Sequence, residues 1–202
     1  MTFTTTEFEN LTQKHSNYGS WAIWEYSKDR TKEKSVKPIF ENINLLNNKH
    51  VIIGLNISDS IGTWANFRGG KHDRKLKYAF NDTYLKGAYM TDLFKNIVNS
   101  KSSDFYQFIK DKPQFIQENV LKFEEEMRDI KISDATCFVI LGTEKSITAN
   151  FFRQYFQKYF ANNKIIYHRH YSSRGSDKEW VESIWESLNI ASSFSEIIEK
   201  YK

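Results

Sequence analysis

The chain has little cysteine, proline or glycine, and each scarcity excludes something. Its one cysteine, Cys137, cannot form an internal disulfide, and it rules out a cysteine-ligated iron–sulfur cluster. Cys137 sits in the apolar run Thr136-Cys-Phe-Val-Ile-Leu141, where a thiol packs and stays inert. A lone unpaired thiol suits the reducing cytoplasm. Only two prolines occur, Pro38 and Pro113, and both open helical patterns. The eight glycines are scattered, with no Pro/Gly/Ser-rich linker, repeat or low-complexity tract to mark a boundary. The expectation is one domain over residues 1–202. No apolar run approaches the roughly 20 residues of a membrane-spanning helix. Met1–Asn10 is polar and acidic, unlike a secretory leader. Together these predict a cytoplasmic protein with no membrane partner.

What the chain does have is an ordinary globular balance, 40% hydrophobic and 27% charged. Aromatics are abundant at 16%. Most read as core filling, and some could stack on nucleobases. A net charge of +4 permits an anionic partner without demanding one.

Hydrophobic periodicity predicts alternating strands and helices. Strands are expected near residues 50–55, 86–92, 136–141 and 164–168. Between them, Lys37–Asn47, Asp73–Asn81, Gln114–Ile130, Ile147–Phe160 and Asp177–Leu188 read as helices, with short helical pieces at Phe94–Val98 and Phe105–Lys110. Trp21–Tyr26 reads as an edge strand or hairpin arm. The Glu124–Glu126 cluster reads as a solvated face, and the aromatic stripe of Ile147–Phe160 as core. Such alternation implies an α/β fold, a single three-layer domain with a central, mainly parallel four-stranded sheet flanked by helices. In open sheets of this kind ligands sit beyond the carboxyl ends of the strands. That directs attention to Asn56 onward, Met90–Asp92, Gly142–Lys145 and Arg169–Arg174. The polar stretch Asn56–His72 is long for a loop in a compact domain, a length that usually serves function.

Those segments carry four motifs in order. Val51-Ile-Ile-Gly-Leu-Asn-Ile-Ser58 resembles the first motif of the uracil-DNA glycosylase-like superfamily, closest to the mismatch-specific branch, with Ile57 where proline is usual. Gly87-Ala-Tyr-Met-Thr-Asp-Leu-Phe-Lys95 resembles the second, with Asp92 in place of asparagine. Phe138-Val-Ile-Leu-Gly142 resembles the third strand. His170-Tyr-Ser-Ser173 resembles the His-Pro-Ser loop, again without proline. The resemblance runs from about Val51 to Trp185.

It implies cleavage of the N-glycosidic bond of a base flipped from the stack, with no metal and no organic cofactor. Asn56 would orient water, although an amide is a poor general base. Otherwise it ties down its loop. Phe67 would stack on the base, with Trp64 as rival, and Ser58 would border it. Otherwise the two aromatics pack the loop. His170 would stabilise the departing base. Its spacing from His168 forms His-x-His, but a metal site needs further ligands and no convincing one is offered. Asp92 would read the base edge. An ionised carboxylate only accepts, which disfavours uracil and suits adjacent donors such as guanine N1–H and N2–H2, or an N3-protonated cytosine. Its alternative role is the N-cap of a following helix. The basic cluster Arg68, Lys71, Arg74, Lys75 and Lys77 in and after the long loop, with Arg169, Ser172 and Arg174 at the final loop, would hold nucleic-acid phosphates, and Arg174 could also fill the gap left by the flipped base. The rival function is a nucleotide- or base-binding module without hydrolytic competence. A purely structural interaction protein is the third reading.

Overall fold

A computed structural model describes residues 3–27, 29–57, 62–95, 97 and 102–201. The elements run α1 (Thr5–His15), β1 (Ser20–Trp21), α2 (Lys37–Glu41), β2 (Asn47–Asn56), α3 (Arg74–Phe80), β3 (Ala88–Phe94), α4 (Ser102–Ile109), α5 (Pro113–Asp129), β4 (Cys137–Leu141), α6 (Ile147–Phe151), β5 (Lys164–His168), α7 (Asp177–Ser187) and α8 (Phe194–Lys200). The sheet has five strands, not four, in the order β1-β3-β2-β4-β5. The four expected strands are parallel, and the added β1 pairs antiparallel with β3 at the edge. Of the segment Trp21–Tyr26, expected as an edge strand or hairpin arm, only Trp21 is in β1, and Ala22–Tyr26 is not strand.

β2 lies between β3 and β4, so its run Val51–Leu55 is buried on both faces. That is why it carries no alternating polar residue. Alternate residues feed two cores. Val51, Ile53, Tyr89, Phe138 and Ile140 meet α1, α4, α5 and α6. Ile52, Met90, Val139 and Leu141 meet α3, α7 and α8. Helices therefore flank both faces of the sheet. Among the described residues no helix is long and apolar enough to cross a membrane.

Both prolines occupy first-turn positions, of α2 and α5. The expected helix Lys37–Asn47 stops at Glu41, continues as a 3-10 turn, Ile43–Leu45, and gives way to β2 at Asn47. The Ile147–Phe160 helix begins as α6 and changes to π and 3-10 turns from Phe152 onward. Its Phe151, Phe152, Phe156 and Phe160 are core, as their spacing predicts. Phe94 belongs to β3 instead of opening a helix. Glu126 also departs from expectation: it is wholly buried, 2.6 Å from the equally buried Lys95 Nζ. Tyr89 and Thr91 hydroxyls donate to its other oxygen at 2.7 and 2.8 Å. A buried pair of this kind persists only with such added hydrogen bonds.

Candidate functional site

The first crossover carries the chain from β2 to β3, and the next returns it past β2 to β4. The order thus reverses beside β2, and a crevice is expected beyond the carboxyl ends of β2 and β4. A cavity of about 510 Å³ opens there. Leu55 and Asn56 enter it from β2, Asp92 from β3, Gly142 and Thr143 after β4, and Arg169–Ser173 after β5. The long loop adds Asn66, Phe67 and Gly70–Asp73, and α6 adds Ile147 and Thr148. The size suits a single nucleobase or a comparable small molecule.

Asp92 lies within β3, in register with Gly54. Because the strand continues to Phe94, Asp92 caps no helix. The residue is 3% exposed. Burial raises its pKa to about 6, while the Asn66 hydrogen bond and the Lys95 ammonium pull it back down. Asn66 Nδ2 donates to Asp92 Oδ2 at 2.8 Å and to Tyr18 O at 2.8 Å. Asn66 Oδ1 accepts from the Phe67 amide at 3.0 Å.

Phe67 is buried and holds a φ of 61°, a left-handed conformation unusual for a bulky residue. Such strain costs on the order of 1–3 kcal/mol and persists only where neighbours enforce it. Asn66 grips one side. Arg68 grips the other, donating to Ser20 Oγ, Ser35 O, Trp21 O and Ile23 O at 2.7 to 3.2 Å. Tyr171 meets the Phe67 ring edge-on, with centroids 6.4 Å apart.

His170 stacks on Tyr171 at 4.2 Å between centroids. The Ser172 amide donates to His170 Nδ1 at 3.2 Å, and Ser172 Oγ lies 2.7 Å from the same nitrogen. An N–H aimed at Nδ1 requires that nitrogen to be a lone-pair acceptor. The ring proton therefore sits on Nε2. Burial lowers the pKa to about 4, so the imidazole is neutral at neutral pH.

The first turn of α3 holds this loop. Asp73 accepts from the Gly70 amide at 2.8 Å and from the Tyr171 hydroxyl. Arg74 Nε lies 2.5 Å from Asp177 Oδ2 at the start of α7. Lys75 Nζ reaches Ser173 O and Gly175 O at 3.4 and 3.3 Å.

The cavity thus gathers Asn56, Phe67, Asp92, His170, Lys71, Arg169 and Ser172 from four separate segments. It does not gather the rest. Trp64 is fully buried among Phe8, Trp21 and Tyr89, with its indole N–H on Thr12 Oγ1 at 3.0 Å. Arg68 is buried and spends its donors on backbone carbonyls and Ser20, so it is not placed to meet a phosphate. Arg74 is paired with Asp177. Lys75 and Lys77 are buried, the latter 2.8 Å from Glu33. Arg174 is exposed and does not line the cavity. His168 faces α7, with Ser183 and Ser187 hydroxyls at 3.2 and 3.1 Å. Ser58 lies outside the described residues. Asn56 Nδ2 donates to Ile57 O at 2.9 Å. Among the described residues no group of three or more His, Cys, Asp or Glu is arranged to hold a metal ion.

Sequence reasoning missed Asn66, Asp73 and Tyr171. Asp73 was legible as the residue opening a predicted helix, and Tyr171 as the neighbour of His170. Nothing in the sequence pairs Asn66 with Asp92, 26 residues away. Comparison of the chain with protein-family models, with curated proteins and with solved structures returned no match.

Proposed function

We propose that this cavity receives a nucleobase and that the protein hydrolyses the N-glycosidic bond of a flipped-out nucleotide in DNA, the base being other than uracil or modified. The observation that carries the reading is the joint lining of one cavity by Asn56, Phe67, Asp92 and His170, the four residues named by the glycosylase-like motifs and their spacing. The enforced strain at Phe67 supports it, since the fold holds this ring in an unfavourable backbone conformation beside the cavity.

In this reading Phe67 packs against the base. The C1′–N bond breaks and its electron pair leaves with the base. His170 Nε2–H donates to the oxygen on which that charge collects. A neutral imidazole suits this role, because it keeps its proton as the anion forms. One well-placed donor of this kind supplies roughly 3–4 kcal/mol. Asn56 orients the water whose oxygen adds to C1′ while its proton passes to solvent. An amide activates water weakly, so turnover is slow. Lys71, Arg169 and Arg174 are the cations left to meet phosphates.

Asn56→Ala tests the chemistry. It should retain base binding and lose single-turnover release of the base. Unchanged turnover would reassign the water to another group, and an absence of turnover in the wild type with retained binding would make the protein a base-binding module.

A further inference from the structure

The polar groups at the inner end of the cavity are already committed in one direction. Asn66 has both amide hydrogens engaged, one on Tyr18 O and one on Asp92 Oδ2, and its oxygen taken by the Phe67 amide. Tyr171 spends its hydroxyl hydrogen on Asp73. Lys95 does not line the cavity, and its ammonium is engaged by Glu126, Thr91 Oγ1 and the Asp92 carbonyl. These residues therefore offer an incoming base no spare hydrogen. Asp92 offers the remaining lone pairs of an ionised carboxylate. A base carbonyl set against it would be two acceptors facing each other out of water, which costs free energy.

Resting on the nucleobase reading of this cavity, we infer that its preferred occupant is a base with two adjacent N–H donors on its pairing edge, which among the standard bases is guanine. Guanine N1–H and N2–H2 stand side by side and match the two oxygens of one carboxylate. Its O6 is an acceptor, suited to the Nε2–H of His170. Uracil presents N3–H between two carbonyls and meets the carboxylate badly. Cytosine at pH 7.5 presents an acceptor at N3 beside its amino donors. The cavity volume of about 510 Å³ admits a purine. Gly54 matters here, because its missing side chain is what leaves space for the Asp92 carboxyl.

The test is calorimetric titration of the intact protein at pH 7.5 with the 5′-monophosphates of guanosine, inosine, cytidine and uridine. Guanosine monophosphate should bind tightest. Inosine monophosphate, lacking only the N2 amino group, should bind more weakly by about tenfold or more. Asp92→Asn, which removes a buried charge and should fold, should erase that gap and improve uridine relative to guanosine. Uridine or cytidine equal to or above guanosine on the wild type overturns the inference and leaves the nucleobase reading standing. So does an Asp92→Asn variant with an unchanged order. Binding of none of the four overturns both.

Discussion

Gly54 lies directly beneath the carboxyl of Asp92: a methyl group built on Gly54 would stand 2.2 Å from Asp92 Oδ1 and 3.4 Å from the Phe67 ring. The glycine of the first motif and the acid of the second are thus two halves of one arrangement, joined by parallel register. Gly54→Ala should push Asp92 off its position. Overpacking of this sort costs about 1–3 kcal/mol. Urea denaturation should show that loss, and nucleotide titration should show base binding weakened by tenfold or more. Unaltered binding would show that Asp92 takes no part in it.

Asp92 also leaves a mark on stability against pH. Its folded pKa, about 6, lies above the 3.8 of an unperturbed aspartate. Between those values the native state holds a proton that the unfolded state has lost. Stability is therefore fully favoured below about pH 4 and declines as pH rises through 6, by roughly 3 kcal/mol from this group alone. Asp92→Asn should remove that decline, so the stability difference between variant and wild type should grow from pH 4 to pH 7. Denaturation midpoints across that range check it. A constant difference would contradict the buried, protonatable Asp92 described here.

Two cations that look alike in sequence should behave differently. Arg68→Met leaves the carbonyls of Trp21, Ile23 and Ser35 without their donor. An abandoned buried acceptor costs about 1–3 kcal/mol, so the variant should lose several kcal/mol of stability. Lys71→Ala, at an exposed position on the cavity rim, should keep its stability. It should instead lower the salt dependence of nucleic-acid binding by about one ion. Thermal melts and binding across a salt series separate the two. Reversed results would undo this division between clamp and contact.

His170 should give a distinct signal by ring nitrogen NMR. The Ser172 amide on Nδ1 predicts the Nε2–H tautomer, and burial predicts that it persists down to about pH 4. An imidazolium signal at pH 6 would rule out the neutral donor.

Much of this was legible. Runs without an alternating polar residue mark β2 and β4 because both are covered on two faces, and the carboxyl-end rule leads to the cavity. Other features were hidden for physical reasons. α1 is announced by a capping box, in which Thr4 Oγ1 accepts from the Glu7 amide and the Glu7 carboxylate accepts from the Thr4 amide, a pairing that polar and acidic composition alone does not reveal. Arg68, Arg74, Lys75 and Lys77 read as a basic patch because sequence shows charge and not burial. Each of the four is instead tied to a carbonyl or a carboxylate in the fold. Glu126 misled in the same way, having Lys95 as a buried partner. In sequence Asp92 fits a base reader and a helix cap alike, and only the continuation of β3 to Phe94 removes the cap.

The most direct measurement is excision itself. Labelled single- and double-stranded oligonucleotides carrying guanine in normal and mismatched pairing, uracil, hypoxanthine, xanthine and modified bases would be incubated with the protein, then heated in alkali to break the strand at abasic sites. Strand breakage is expected at a base other than unmodified uracil, and His170→Ala should abolish it. A blank across the whole panel with folded protein, or breakage that His170→Ala leaves intact, would contradict the proposed function.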